Sequence, residues 1–258
     1  MPPRNYFREN RLAVLKGIEE SSFLTPLSEA DLPLHISEGN KASTLKEVVI
    51  DNVPADEDGI RPRSWILDLE MPKPVFGSIQ HTKTAEKALI VLGSDALRIF
   101  MFELKSSLQP YGHDGSLDSI KTKMEHTVAR ISMLLPIQIF GSEFNDMEII
   151  YKGIICYNHD NEIISNANTD ADFARKDMYK AFVERKKMMT LSDVFGRNNQ
   201  VELHFIKNPN PNQTFFHVEF EDLFFTESME WEVIVASNGA KTCPIIKKLP
   251  IETHLPNQ

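Results

Sequence analysis

The most regular apolar pattern lies in the middle of the chain, between residues 85 and 108. Two apolar runs, Ala88–Leu92 and Ala96–Leu104, flank a short segment of Gly, Ser and Asp at positions 93–95. Both runs are short and rich in β-branched or aromatic side chains, and turn residues bound them. This pattern predicts the two antiparallel strands of a β-hairpin.

A different periodicity follows the hairpin. From Ser116 onward, apolar residues recur every three or four positions, which is the spacing of one face of an α-helix. These residues are Leu117, Ile120, Met124, Val128, Ile131 and Leu135. A strong strand pattern, Met147–Tyr157, comes next. A helix between two strands is typical of a parallel βαβ connection, so we expect an α/β protein with a mixed sheet.

Weaker patterns predict the remaining elements. The segment Phe23–Thr44 is expected to be a polar connection, and Val201–Ile206 with Thr214–Phe220 a second hairpin. Further strands are predicted at Lys46–Val53, Ser64–Leu69, Trp231–Ala236 and Pro244–Lys248, and further helices at Tyr6–Phe23 and Asp170–Met189. No linker or internal repeat interrupts residues 1–258, which favours a single domain.

Composition adds few constraints. The chain is 41% hydrophobic and 25% charged, as expected for a protein with a substantial core. No apolar run is long enough to cross a membrane, and the first ten residues lack the apolar stretch of a signal peptide. Two distant cysteines form no metal-binding spacing, so a reducing cytoplasmic location is the expectation. The net charge of -9 gives no support for non-specific binding to nucleic acid.

Candidate chemistry lies at the end of the second hairpin strand. Glu103 and Lys105 share one face of that strand, because side chains alternate. Burying a carboxylate and an ammonium group is costly unless another interaction compensates for it. If the hairpin loop spans residues 93–96, Leu92 pairs with Leu97 and Glu86 falls opposite Glu103. The expected site therefore has two carboxylates and one lysine.

These residues resemble the PD-(D/E)xK nuclease superfamily, which has the restriction-endonuclease-like fold. The resemblance covers about residues 64–157, and FELKSSL, at 102–108, matches the strand that carries the ExK motif. It implies a mixed sheet flanked by helices, with a nuclease-like core at about residues 64–206. The departure is at the first acidic position, where the superfamily usually has Asp and this chain has Glu86.

The resemblance also implies a function, a metal-dependent nuclease acting in defence or nucleic-acid processing. Glu86, Glu103 and the Leu104 carbonyl would hold Mg²⁺ or Mn²⁺, and Lys105 would complete the catalytic residues with the two glutamates. DNA is favoured over RNA as the partner, no membrane is expected, and a homodimer stays open. The lysines expected to form a basic rim that binds nucleic acid are Lys83, Lys87, Lys121 and Lys123.

A second interpretation remains open beside the nuclease. The acidic balance and the Glu at the first motif position also fit a catalytically inactive protein that keeps this fold as a binding or scaffold module. Two histidines on strand patterns, His204 and His217, lack a third ligand at metal-binding spacing and are expected to be structural. The basic residues of 175–187 alternate with acidic ones, which is typical of a solvated helix.

Overall fold

A computed structural model gives the structure of the protein. It describes residues 23–54, 64–69, 83–92, 96–109, 116–135, 149–160, 188–192, 198–224, 227–236 and 239–248. Within these ranges the chain is an α/β protein, in which one α-helix packs on a mixed sheet.

A seven-stranded sheet forms the centre of the described structure. Its strands are β1 (Leu24–Pro26), β4 (Ser64–Asp68), β5 (Lys87–Leu92), β6 (Leu97–Leu108), β7 (Ile149–Asp160), β8 (Met188–Ser192) and β9 (Asn198–Lys207). They lie in the order β1-β4-β5-β6-β7-β9-β8. The strands β6, β7 and β9 run parallel to one another, and every other neighbouring pair is antiparallel.

Two smaller sheets accompany the central one. The strands β2 (Leu34–Ser37), β3 (Glu47–Asp51) and β10 (Phe215–Glu219) form a three-stranded sheet with β3 in the middle. The strands β11 (Glu227–Ala236) and β12 (Gly239–Lys248) form an antiparallel pair. Two short 3-10 helices, Glu29–Asp31 and Phe220–Leu223, complete the described elements together with the α-helix α1 (Leu117–Leu135).

The central sheet is covered on both faces. Ile99 and Met101 of β6 pack against Ile120 and Met124 of α1 in one apolar core. The alternate residues of the same strand, including Phe100, lie in a second core with the three-stranded sheet and the Phe220–Leu223 turn. The described structure therefore has three layers, with α1 on one side of the sheet and three strands on the other.

Close packing of α1 depends on the glycine of β7. A Cβ atom on Gly153 would lie 2.5 Å from Leu203 Cδ2 and 3.2 Å from Met124 Sδ. Both distances are shorter than ordinary van der Waals contacts, so a larger residue would force these side chains to move. The absence of a side chain at Gly153 thus lets the helix approach the sheet where β7 and β9 run side by side.

The hairpin and the crossover are confirmed. The strands β5 and β6 are antiparallel neighbours with Leu92 opposite Leu97, and β6 and β7 are parallel. The helix after Ser116 is also confirmed, and its apolar stripe from Ile120 to Leu135 packs on the sheet. Strands predicted from Lys46, Ser64, Met147, Trp231 and Pro244 all correspond to strands of the structure.

Three predictions differ from the structure. The segment Phe23–Thr44 contains two short strands, β1 and β2, because buried apolar residues such as Ile36 pair with residues of neighbouring strands. The second hairpin is wrong, since β9 joins the central sheet whereas β10 pairs in parallel with β3. Met188 and Met189, expected to end a helix, lie in β8. Residues 6–22 and 170–187 of the two other predicted helices lie outside the described ranges.

Candidate functional site

Glu103 lies at the centre of a buried cluster of charged side chains. It is fully buried in β6, on the face of the sheet that α1 covers. The Lys105 ammonium, two residues further along the same strand, lies 2.5 Å from Glu103 Oε1. The strand periodicity therefore placed these two residues correctly on one face, and the compensation expected for their burial is an ion pair.

A second lysine binds the same carboxylate oxygen. Lys123 Nζ of α1 lies 2.5 Å from Glu103 Oε1, and the Lys123 side chain is 11% exposed. The other oxygen, Glu103 Oε2, is buried and has no hydrogen-bond partner among the described residues. Lys123 thus lies inside the cluster and not on the basic rim where the sequence placed it.

Glu86 meets this cluster from the neighbouring strand. Glu86 immediately precedes β5, and its backbone N–H donates to the Phe102 carbonyl at 3.0 Å. The β5–β6 pairing ends with Lys87 opposite Phe102, one residue before the expected Glu86–Glu103 pair. Paired residues of β5 begin only at Lys87, so the edge of β6 beyond Phe102 has no neighbouring β5 backbone. The Glu86 carboxylate fills this gap, because its Oε2 accepts a hydrogen bond from the Leu104 N–H at 3.1 Å.

The protonation of Glu86 is shifted by its surroundings. Burial of the side chain, and then the charge of Glu103, raise the pKa of Glu86 well above its ordinary value. Lys123 and Lys105 act in the opposite direction, but their effect is smaller. The same site raises the pKa of the Cys156 thiol through burial and, to a lesser degree, through Glu86. Burial therefore favours the neutral form of Glu86, and the neighbouring Glu103 charge adds to this effect.

The Leu104 carbonyl lies on the same side of the strand as Glu86. In a β-strand the N–H and C=O of one residue point to the same neighbour, and the Leu104 N–H points to Glu86. The carbonyl is therefore directed toward the edge of β6 that β5 leaves uncovered. The Glu86 carboxylate and the Leu104 carbonyl therefore lie at this edge, and both are oxygen ligands of the kind that Mg²⁺ and Mn²⁺ accept.

The helix α1 fixes the segment that leads into Glu86. Thr127 Oγ1 accepts a hydrogen bond from the Ala85 N–H at 2.8 Å and donates to the Lys123 carbonyl at 2.7 Å. One turn further, Arg130 donates to the Leu69 carbonyl. Thus one face of α1 contacts Glu103 through Lys123 and the approach to Glu86 through Thr127. Helical spacing did not reveal this role, because Thr127 is polar and lies beside the apolar stripe.

The other lysines expected at the rim are distributed more widely. Lys83 and Lys121 are exposed, and Lys121 lies 3.8 Å from Glu125 on the next turn of α1. Lys87 is half-buried, and its ammonium approaches the His35 carbonyl at 3.5 Å. Lys83 and Lys121 are therefore the exposed lysines of the four.

A second buried charge cluster was not anticipated from the sequence. Lys152 Nζ donates to the Phe224 carbonyl at 2.7 Å and lies 3.8 Å from Glu202 Oε2. The other oxygen of Glu202 lies 3.1 Å from His204 Nε2. This cluster occupies the opposite face of the sheet. The spacing of two on β9 puts Glu202 and His204 on one face, but Lys152 comes from β7, and no local spacing predicts that it joins them. His204 is buried in this cluster, whereas His217 is exposed and lies 2.7 Å from Asp51.

Neither a protein-family model, nor a curated protein, nor a solved structure matches this chain. Within the described ranges, no group of three or more His, Cys, Asp or Glu residues is arranged to hold a metal ion. None of the described helices combines the length and the apolar character that crossing a membrane requires.

Proposed function

We propose that this protein is a metal-dependent nuclease of the PD-(D/E)xK type that hydrolyses phosphodiester bonds in DNA. The observation that carries the proposal is that the Glu86 carboxylate accepts from the N–H of Leu104, the residue after Glu103, while Lys105 binds the Glu103 carboxylate. An acidic residue beside the strand that carries a second acid, with a lysine two positions after that acid, is the combination that the sequence motif implies.

The order of elements supports the same proposal. The antiparallel strands β4, β5 and β6 are followed by α1 and then by the parallel strand β7. This is the succession of hairpin, amphipathic helix and strand on which the resemblance to the superfamily rests. The restriction-endonuclease-like fold is accordingly part of the proposal, whereas the α/β class and the mixed sheet are observed directly.

The described residues fit a hard divalent cation. Glu103 Oε2 is a buried carboxylate oxygen without a hydrogen-bond partner among the described residues, and a bound cation would compensate for its burial. The Glu86 carboxylate and the Leu104 carbonyl would add two protein oxygens. Mg²⁺ commonly keeps several waters and substrate phosphate oxygens in its shell, so a small protein ligand set suffices.

Each residue then has a distinct role in hydrolysis, in which water forms a new P–O bond and a sugar oxygen leaves phosphorus. A bound metal ion would supply Lewis-acid stabilisation and an activated water. Lys105 would orient that water and stabilise the negative charge that develops on phosphorus. Glu86 links the site to the backbone through the Leu104 N–H, so it also holds the Glu103 strand in position.

A cleavage assay tests the proposal directly. We expect purified protein to cleave single- or double-stranded DNA with Mg²⁺ or Mn²⁺ and to lose activity with chelator. Glu103→Ala and Glu86→Ala should each reduce cleavage by about a hundredfold or more, since they remove metal ligands. Lys105→Ala should impair cleavage more than Mn²⁺ binding, because it supplies charge to the reaction and not a ligand.

A matched control comes from the surface of α1. Glu125→Gln removes one charge of the pair that Glu125 forms with Lys121, so this variant should cleave as the wild type does. Inclusion of RNA in the same assay distinguishes the substrate. Cleavage that is independent of metal, or that persists in Glu103→Ala, would contradict the proposal.

A non-catalytic binding or scaffold module is the second candidate function. Its supporting observation is that two lysines already neutralise the buried Glu103, as in a purely structural ion pair. Calorimetry with Mn²⁺ separates the two functions. Measurable heat that disappears in both Glu86→Ala and Glu103→Ala favours the nuclease, whereas the absence of heat in the wild type, together with no cleavage, favours the scaffold.

A further inference from the structure

Glu103 has more cationic partners than one carboxylate needs. The ammonium groups of Lys105 and Lys123 both lie 2.5 Å from Oε1, while Oε2 has no hydrogen-bond partner in the described part of the chain. Two like charges that share one oxygen repel each other, and this repulsion is stronger in a buried site than in water. Both ammonium groups thus meet the same oxygen, although a second buried carboxylate, Glu86, is close enough for its pKa to be affected by both lysines.

The two lysines also differ in origin. Lys105 belongs to the motif that the sequence resembles, whereas Lys123 comes from α1 and is not part of that motif. The Lys123 backbone is fixed, because its carbonyl accepts a hydrogen bond from Thr127 Oγ1. Its ammonium sits on a flexible four-carbon stem with three rotatable donors, so it can change partners without movement of the helix.

We propose that Lys123 is a second phosphate-binding residue of this site and that its ammonium pairs with Glu103 in the metal-free protein. This role depends on the proposed function, because Lys123 competes with a divalent cation for Glu103. Lys123 then turns to a phosphate of the nucleic acid when Glu103 is engaged by the metal. By linkage, nucleic acid and metal each bind more tightly in the presence of the other.

Two binding measurements test this role without any cleavage. The first is Mn²⁺ calorimetry of the whole chain with no nucleic acid, and the second is fluorescence anisotropy of a labelled DNA duplex in Ca²⁺. A gel run after the second measurement checks that the duplex is intact. The variant is Lys123→Met, with Lys121→Met on the exposed face of the same helix as the matched control for the Mn²⁺ measurement.

We expect the Mn²⁺ affinity of Lys123→Met to be at least about threefold higher than that of the wild type, because a competitor for Glu103 has been removed. The same variant should bind the duplex roughly fivefold more weakly, because a phosphate contact is lost. Lys121→Met should match the wild type in Mn²⁺ affinity. Lys123→Gln removes the same charge with a shorter side chain and replaces Lys123→Met if the methionine variant does not fold.

The outcomes separate this inference from the proposed function. If the wild type binds Mn²⁺ and cleaves DNA but Lys123→Met has unchanged or weaker Mn²⁺ affinity, or unchanged duplex affinity, the role of Lys123 is overturned and the nuclease stands. If only the Lys123 variants bind Mn²⁺, the competition is supported. If neither the wild type nor the Lys123 variants bind Mn²⁺, both proposals fall.

Discussion

Two buried charge clusters lie on opposite faces of the central sheet and differ in how their charged groups are arranged. On one face, Lys152 donates to the Phe224 carbonyl, lies over the Phe224 ring, and approaches Glu202, which also contacts His204. On the other face, two lysines share one oxygen of Glu103 while its second oxygen has no hydrogen-bond partner within the described ranges.

This difference separates a structural cluster from a candidate site. The Lys152 cluster connects β7 and β9 to the chain beside the Phe220–Leu223 turn, so its charges attach one layer to another. The Glu103 cluster leaves a carboxylate oxygen unsatisfied and raises the pKa of Glu86, both of which oppose folding. Unfavourable electrostatics of this kind is expected where a binding partner supplies the missing compensation.

The largest effect on stability should therefore come from the structural cluster. Lys152→Met keeps most of the side-chain volume but removes the bond to the Phe224 carbonyl and leaves Glu202 without its ammonium neighbour. Removal of one member of a buried pair typically costs about 3–5 kcal/mol of unfolding free energy. Urea unfolding measures this loss, with the exposed Lys121→Met expected to change the stability by less than about 0.5 kcal/mol. A loss below about 1 kcal/mol would contradict the structural role.

A smaller effect, opposite in sign, should appear at Glu86. Burial and the charge of Glu103 raise the pKa of Glu86, so the folded state holds its proton more tightly than the unfolded state does. The stability from this proton is fully present below the ordinary pKa of 4.5 and is lost as pH rises through the folded-state pKa. Glu86→Gln cannot ionise, and its carbonyl oxygen can still accept from the Leu104 N–H.

The measurement is the unfolding free energy of both proteins in urea from about pH 4.5 to about pH 8. We expect Glu86→Gln to gain stability relative to the wild type as pH rises across this range. The exposed Glu125→Gln serves as the control and should follow the wild-type curve. Parallel curves for Glu86→Gln and the wild type would show that the Glu86 environment is the same in the folded and unfolded states.

Local periodicity was sufficient for the part of the fold that contains the candidate site. Alternation and turn residues identified β5 and β6, and a loop of four residues fixed the register with Leu92 opposite Leu97. That register continues to Lys87 opposite Phe102 but not to the expected pair of Glu86 and Glu103. The partner strands of β9 and of β10 were not predictable in this way. Both segments have strand patterns and are adjacent in sequence, but they join different sheets because their partners, β7 and β3, are distant in sequence.

The candidate site was predictable only along single elements. Glu103 and Lys105 share a strand face, which the period of two establishes. Lys123 and Thr127 reach the site from α1 across the interface between helix and sheet. A local sequence pattern does not predict which residues meet across that interface. The sequence consequently assigned Lys123 to a surface rim, whereas the structure buries it on Glu103.

The smallest expected effect concerns the anchor between α1 and the segment before Glu86. Thr127→Val has nearly the same shape but removes the oxygen that accepts from the buried Ala85 N–H. We expect a loss of about 1–2 kcal/mol of unfolding free energy, the usual cost of leaving one buried donor without a partner. Urea unfolding measures this loss, and Thr127→Ser should recover most of it because the hydroxyl is restored.

This variant also refines the contrast between the two clusters. If the hydrogen bond of Thr127 positions Glu86, Thr127→Val should weaken Mn²⁺ binding by about threefold relative to the wild type. Thr127→Ser should restore the wild-type Mn²⁺ affinity. Lys152→Met, although more destabilising, should leave Mn²⁺ affinity unchanged because it lies on the other face of the sheet. Equal Mn²⁺ affinities for Thr127→Val and the wild type would mean that Thr127 only stabilises the helix against the sheet.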